Sequence, residues 1–197
     1  MDKTSVLIAG NPADDLAIAE AMTKELEDYL VDNDLYRTIV VRTSEGDQRL
    51  QMTGGDLLTR LHRLQATRAS LTPDQQARLD AAQKAAEETI RSLRTRFHER
   101  LQREMKARLD ALTWYLGELG QDPVRARTEF PFEMRNRQRI EEILQEIGDD
   151  VTPELKNGLS QVDHRIRMLT SSGQFTWDEQ LKAAFPPHPY WYLYVMP

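Results

Sequence analysis

Four histidines and a tyrosine-rich C-terminal segment are the side chains of this sequence best equipped for chemistry. Imidazole is a common metal ligand and proton carrier near neutral pH, so the neighbours of His62, His98, His164 and His188 decide what each could do. His98-Glu99-Arg100-Leu101-Gln102 opens like the zinc-protease helix motif, but Gln102 stands where the second histidine ligand has to be. A di-iron bundle needs a glutamate three residues before an inward-facing histidine. The residues at that offset are Thr59, Thr95, Gln161 and Phe185, none of them a carboxylate. Asp163 and His164 are sequence neighbours, and adjacent side chains on a helix point about 100° apart, so they form no orienting pair. Cysteine is absent, which removes disulfides, thiolate ligands and cysteine nucleophiles.

Phosphate chemistry fares no better. Val6-Leu7-Ile8-Ala9-Gly10 reads as an apolar strand running into glycine, the opening of many nucleotide-binding folds. Asn11-Pro12-Ala13-Asp14-Asp15 follows, with neither further glycines nor a lysine, and with two carboxylates that repel phosphate. There is no Gly-x-Ser-x-Gly elbow. Glu87-Glu88 and Glu141-Glu142 read as solvated helix faces. No catalytic residue, metal ligand or cofactor is assigned.

The tail, Phe185-Pro186-Pro187-His188-Pro189-Tyr190-Trp191-Tyr192-Leu193-Tyr194-Val195, is the most unusual stretch. Its prolines forbid a helix at the start, and its aromatics favour an extended strand. Such a strand turns Trp191 and Leu193 to one side and Tyr190, Tyr192 and Tyr194 to the other. The rings either close a core or, with His188 as a polar handle, make His188, Tyr190, Tyr192 and Tyr194 a candidate ligand or partner surface.

Among the elements that must position these groups, one dominates. Thr72-Pro73-Asp74-Gln75 is a capping box with proline at the first helical position. Beyond it, apolar residues recur every three or four positions from Leu79 to Leu119, and Gly120 with Pro123 supplies a stop. The spacing predicts one very long helix over Pro73–Leu119, roughly 70 Å at about 1.5 Å per residue. A compact chain of this length is only about 40–45 Å across. An apolar stripe that outruns the globule is a contact surface, so a homodimer is expected, with Ile90, Phe97, Leu101 and Met105 as the self-association stripe.

The other elements are shorter. Asn11-Pro12 opens a first helix running to about Asp32. A β-hairpin spans about Tyr36–Met52, turning at Glu45-Gly46, and the C-terminal strand is expected to join it, because two strands alone are marginal in water. Thr53 to Asp56 caps a helix carrying Leu57, Leu58, Leu61 and Leu64. Pro123 to Pro131 reads as a connector, followed by a helix marked by Ile140, Ile143, Leu144 and Ile147 and stopped at Gly148. Thr152-Pro153 starts another, with Leu155, Leu159, Val162, Ile166 and Leu169 inside. A short helix is expected near Asp178 to Ala184.

The fold class is mainly α, a helical bundle built around the long helix with the small hairpin attached. At 197 residues the chain is read as a single domain. Its N-terminal helix and hairpin occupy residues 1–55, the bundle 56–170 and the aromatic tail 171–197. Hydrophobic content of 40% with 29% charged residues describes an ordered, soluble chain. No apolar run reaches the roughly 20 residues that span a bilayer, and the first residues lack a secretory signal, so no membrane association and a cytoplasmic location are expected.

The charge of −6 makes nucleic acid an unfavoured partner, although arginines crowd residues 91–108 and 125–139. The simpler expectation is that these arginines pair with the acidic first helix. The function expected is a non-enzymatic protein–protein interaction or scaffold role. Nucleic-acid binding through the arginine-rich middle, and a small-molecule binder or enzyme with a pocket under the tail, are the alternatives.

Overall fold

The computed structural model describes residues 11–119 and 123–197. The expected strand at Val6–Ala9 and the expected stop at Gly120 lie outside them. Among the described residues there are seven α-helices and two antiparallel strand pairs. No helix among them is long and apolar enough to cross a membrane. The described residues divide into two compact units, one within residues 11–104 and the other within residues 105–197.

In the first unit, α1 (Pro12–Lys24) starts where the Asn11 side chain accepts a hydrogen bond from the Ala13 amide at 2.9 Å. α2 (Leu26–Val31) continues it after a one-residue interruption at Glu25. β1 (Arg37–Thr43) pairs with β2 (Gly46–Met52) in the predicted hairpin, Arg37 opposite Met52 and Thr43 opposite Gly46. Gly46 takes a φ of +99°, which a side chain would resist. Ile39 and Val41 are buried, and α1 packs against β1, α3 (Gly54–Ala66) and α4 (Pro73–Ser92). Leu16, Ala19, Leu64, Leu71 and Leu79 meet at the centre of this packing.

The single long helix is not formed. The capping box is as expected: the Gln75 amide donates to the Thr72 hydroxyl at 3.3 Å, and the Thr72 amide to the Gln75 side chain at 2.9 Å. The helix then breaks at Leu93 (φ −118°, ψ 30°), and α5 (Arg94–Glu118) starts afresh. Neither proline nor glycine sits at the break. Ser92 does, and its hydroxyl donates to the Glu88 carbonyl at 2.9 Å, a back-bond that bends helices. Phe97, Leu101 and Met105 are fully buried within the chain, and Ile90 is half-buried.

Two buried polar arrangements tie this unit together. Asp15, on α1, accepts both the Nε (2.7 Å) and a terminal nitrogen of Arg63, and also pairs with Arg60, both on α3. Glu104, wholly buried, accepts the Thr53 hydroxyl at 2.7 Å and the Gly55 amide at 2.9 Å. It therefore neutralises donors that α3 leaves open at its N-terminus. That approach needs Gly54, since a Cβ there would stand 2.7 Å from Leu101 Cδ2 and 3.0 Å from the Phe97 ring.

The second unit holds α6 (Pro123–Ile147), α7 (Pro153–Leu169) and the pair β3 (Ser171–Ser172) and β4 (Val195–Met196). The expected connector at 123–131 is instead the first part of α6, with Pro131 inside the helix. Its burial stripe runs through Phe130, Met134, Arg137, Gln138 and Ile140. Two of those positions are polar, which hides the helical period from a hydropathy reading. α6 ends as predicted, at Gly148 with φ +53°. The C-terminal strand does not join the hairpin; it pairs with Ser171–Ser172. Near Asp178 only a 3-10 turn forms, over Glu179–Leu181.

Burial raises the Asp15 pKa, but Arg63 and Arg60 outweigh it and hold the carboxyl below its ordinary value. Its contribution is therefore present above the unfolded value of about 3.9 and lost as pH falls through the folded one. Asp15→Ala removes the carboxylate shared by Arg60 and Arg63 and is expected to cost about 3–5 kcal/mol at pH 7, measured by urea unfolding. The deficit should shrink as the pH is lowered below about 4. Gly54→Ala is expected to cost about 1–3 kcal/mol by overpacking.

Candidate functional site

α7 carries a cluster of polar and charged side chains along one flank. It starts at Thr152, whose hydroxyl accepts the Leu155 amide, with Pro153 at the first position. Leu155, Val162 and Ile166 face inward and are buried. The adjoining flank lines an open groove of about 470 Å³ formed by Lys156, Leu159, Ser160, Asp163, His164 and Arg167. These positions repeat at three- and four-residue steps, so they share one side of the helix.

Beneath that face lies the aromatic tail. Trp191–Tyr194 is not an extended strand but a 3-10 turn, in which the Leu193 amide donates to the Tyr190 carbonyl at 3.0 Å. With three residues per turn, Tyr190 and Leu193 come to the same side. Tyr190, Tyr192 and Leu193 are buried, while Trp191 and Tyr194 are half-buried, so the expected alternation is replaced. Gly173 and Thr176 anchor the turn from the other side, donating to the Tyr194 and Leu193 carbonyls. Rings meet edge to face from Trp177 through Phe185, Tyr190 and Tyr192 to Trp191, with centroids 5.1–6.4 Å apart.

Arg137 links the tail to α7. Its side chain is 4% exposed, lies over the Tyr192 ring and donates to both carboxylate oxygens of Asp163, at 2.7 and 3.1 Å. A further bond at 2.9 Å goes to Glu141. Burial alone depresses an arginine pKa; here the Asp163 bonds and the surrounding negative charge outweigh it, and the pKa is raised. The Tyr190 hydroxyl donates to Glu142 at 2.9 Å and accepts from Gln145 at 3.2 Å. Burial, reinforced by Glu142, pushes its pKa above the usual phenol value, and burial does the same for Tyr192. The Tyr192 hydroxyl has no hydrogen-bond partner among the described residues.

The four tail residues singled out in the sequence differ in exposure, although the Tyr190 and Tyr192 rings are in contact. His188 is exposed, Tyr190 and Tyr192 are core, and Tyr194 donates to the Phe185 carbonyl at 2.8 Å. His62 is half-buried on α3, His98 is buried on α5, and His164 is exposed on α7. Among the described residues no three histidine, aspartate or glutamate side chains come together as a metal site.

The arginines of the middle segment divide. Arg100 donates to the Asp32 carbonyl and sits 5.0 Å from the Tyr29 ring centre, Arg103 bonds Asn33, and Arg108 bonds Asn136 at 2.9 Å. The acids of the first helix pair with other arginines: Glu20 with Arg78, and Glu25, Asp28 and Asp32 with Arg37. The α7 groove is the feature that sequence reading missed. Its signal was present as Lys156, Ser160, Asp163 and Arg167 at helical spacing, but the fate of Asp163 is decided by Arg137 from another helix. No family model, curated protein or solved structure matches the chain.

Two tyrosine variants separate the roles of the tail. Tyr190→Phe removes a donor from a buried carboxylate and is expected to cost about 1–3 kcal/mol, whereas Tyr192→Phe is expected to be neutral or stabilising. Both pKa values are raised on folding, so the stability they confer is present below about pH 10 and falls as the pH climbs beyond it. Denaturant unfolding of the variants at pH 7 and pH 10.5 reads both effects.

Proposed function

We propose that this chain is a non-enzymatic helical interaction protein that presents the outer face of α7 to a protein partner. The observation that carries this reading is the contrast between buried and exposed chemistry. The buried charges noted above, Asp15, Glu104 and Arg137, are engaged in holding helices together. The α7 groove instead leaves Lys156, Ser160, His164 and Arg167 facing solvent, with Met168 71% exposed beside them. An open groove on one helix suits a partner surface better than a small ligand, since small-molecule sites enclose about 70–90% of what they hold. Phe97, Leu101 and Met105 of the apolar stripe are buried within the chain, which favours α7 over that stripe as the contact surface.

A photo-crosslinking amino acid placed at Met168 or Ser160 tests this in cells. A discrete crosslinked protein at both positions, absent when the crosslinker replaces exposed Gln51 on the hairpin, is the expected result. Crosslinking no stronger at α7 than at Gln51 removes the proposal.

A further inference from the structure

The charge of the groove identifies what fits it. Six side chains line it, and the one carboxylate among them, Asp163, has both oxygens held by buried Arg137. Its charge is thereby answered in part from inside the protein, by a guanidinium that it shares with Glu141. Lys156, by contrast, reaches only the Asp149 carbonyl at 3.5 Å. Arg167 lies 3.6 Å over the Trp191 ring, a stacking contact that fixes the guanidinium while leaving its N–H groups unused. Neither cation has a carboxylate partner among the described residues. The groove thus presents two cations without carboxylate partners among those residues, on a chain whose net charge is −6.

Spacing narrows the occupant. Lys156 and Arg167 are eleven residues apart, close to three helical turns, which sets their attachment points about 16 Å apart on one side of α7. An extended peptide covers that distance in about five residues at roughly 3.3 Å each. Between the two cations stand the Ser160 hydroxyl, half-buried Leu159, exposed His164 and the Asp163 carboxylate turned to Arg137. The middle of such a peptide thus meets polar and apolar contacts, and its acids belong at the two ends. Two cations that far apart make a poor track for a nucleic-acid backbone, which carries a charge about every 1.7 Å of duplex and would also meet the negative charge of the whole chain.

Deepening the interaction reading, and resting on it, we infer that the α7 groove binds a short acidic peptide segment of a partner protein, its carboxylates meeting Lys156 and Arg167. A fluorescein-labelled peptide of glutamates flanking one central phenylalanine, titrated into the full chain and followed by anisotropy, tests this. Saturable binding is expected. It should weaken about tenfold or more in Lys156→Glu and in Arg167→Glu, and stay within about twofold in Arg49→Glu, an exposed arginine of the hairpin.

Because Arg167 also packs on Trp191, Arg167→Gln accompanies the reversal, and the circular dichroism melt of every variant is compared with the parent. Affinity unchanged in Lys156→Glu, or equal affinity for a glutamine peptide of the same design, overturns the acidic-peptide inference. Tighter, salt-sensitive binding of a single-stranded oligonucleotide that is lost in Lys156→Glu overturns it in favour of a nucleic-acid surface. In either case crosslinks at Met168 to a protein would leave the interaction reading standing, and their absence would remove both.

Discussion

A guanidinium buried in protein must be answered by charge and hydrogen bonds, and Arg137 is where the second unit meets that demand. Removing one partner from a buried ion pair strands the other at high cost, so the positions of Asp163 on α7 and Glu141 on α6 are fixed relative to each other through one side chain. The ring of Tyr192 covers the guanidinium face, which locks the C-terminal turn to the same point. Helix, neighbouring helix and tail are thus positioned by a single planar group. The surface consequence follows directly: Asp163 is the acid of the α7 groove, and its charge is directed inward.

The first unit solves a parallel problem with the signs reversed. There the buried carboxylates Asp15 and Glu104 do the joining, one to two arginines and the other to the backbone donors at the start of α3. The absence of a side chain at Gly54 lets α3 approach α5 closely enough for Glu104 to reach those donors. Apolar packing of Leu16, Leu64 and Leu79 gives this unit its cohesion. The polar contacts add direction, since each is satisfied only in one arrangement of the helices.

Much of this architecture is written locally. Capping residues at Asn11, Thr53, Thr72 and Thr152 each start a helix where they stand, because the cap depends only on the next three residues. The hairpin register follows from Gly46 and the alternation of Ile39 and Val41. What sequence reading misplaced was set by tertiary contacts. The break at Leu93 depends on a serine choosing a carbonyl, and the opening of α6 was masked by a proline and by an arginine and glutamine that turned out to be buried. The tail alternation failed because its rings pack on a tight turn. At the candidate site the side chains were visible but their charge balance was not, since it depends on Arg137, twenty-six residues before Asp163.

The hairpin has a further consequence. Among the described residues β1 and β2 pair only with each other, so each strand has one edge whose backbone donors and acceptors are not used by the sheet. Open edges of this kind are templates on which other chains can add strands. Val40, 68% exposed, lies on the solvent face, where it would favour such growth. Arg42 and Arg49 stand on the same hairpin, Asp47 sits opposite Arg42, and all three are exposed. A second copy adding in parallel register would bring like charges together at each of these positions. Charge on the open face of the hairpin thus disfavours its growth into a longer sheet by strand addition in register.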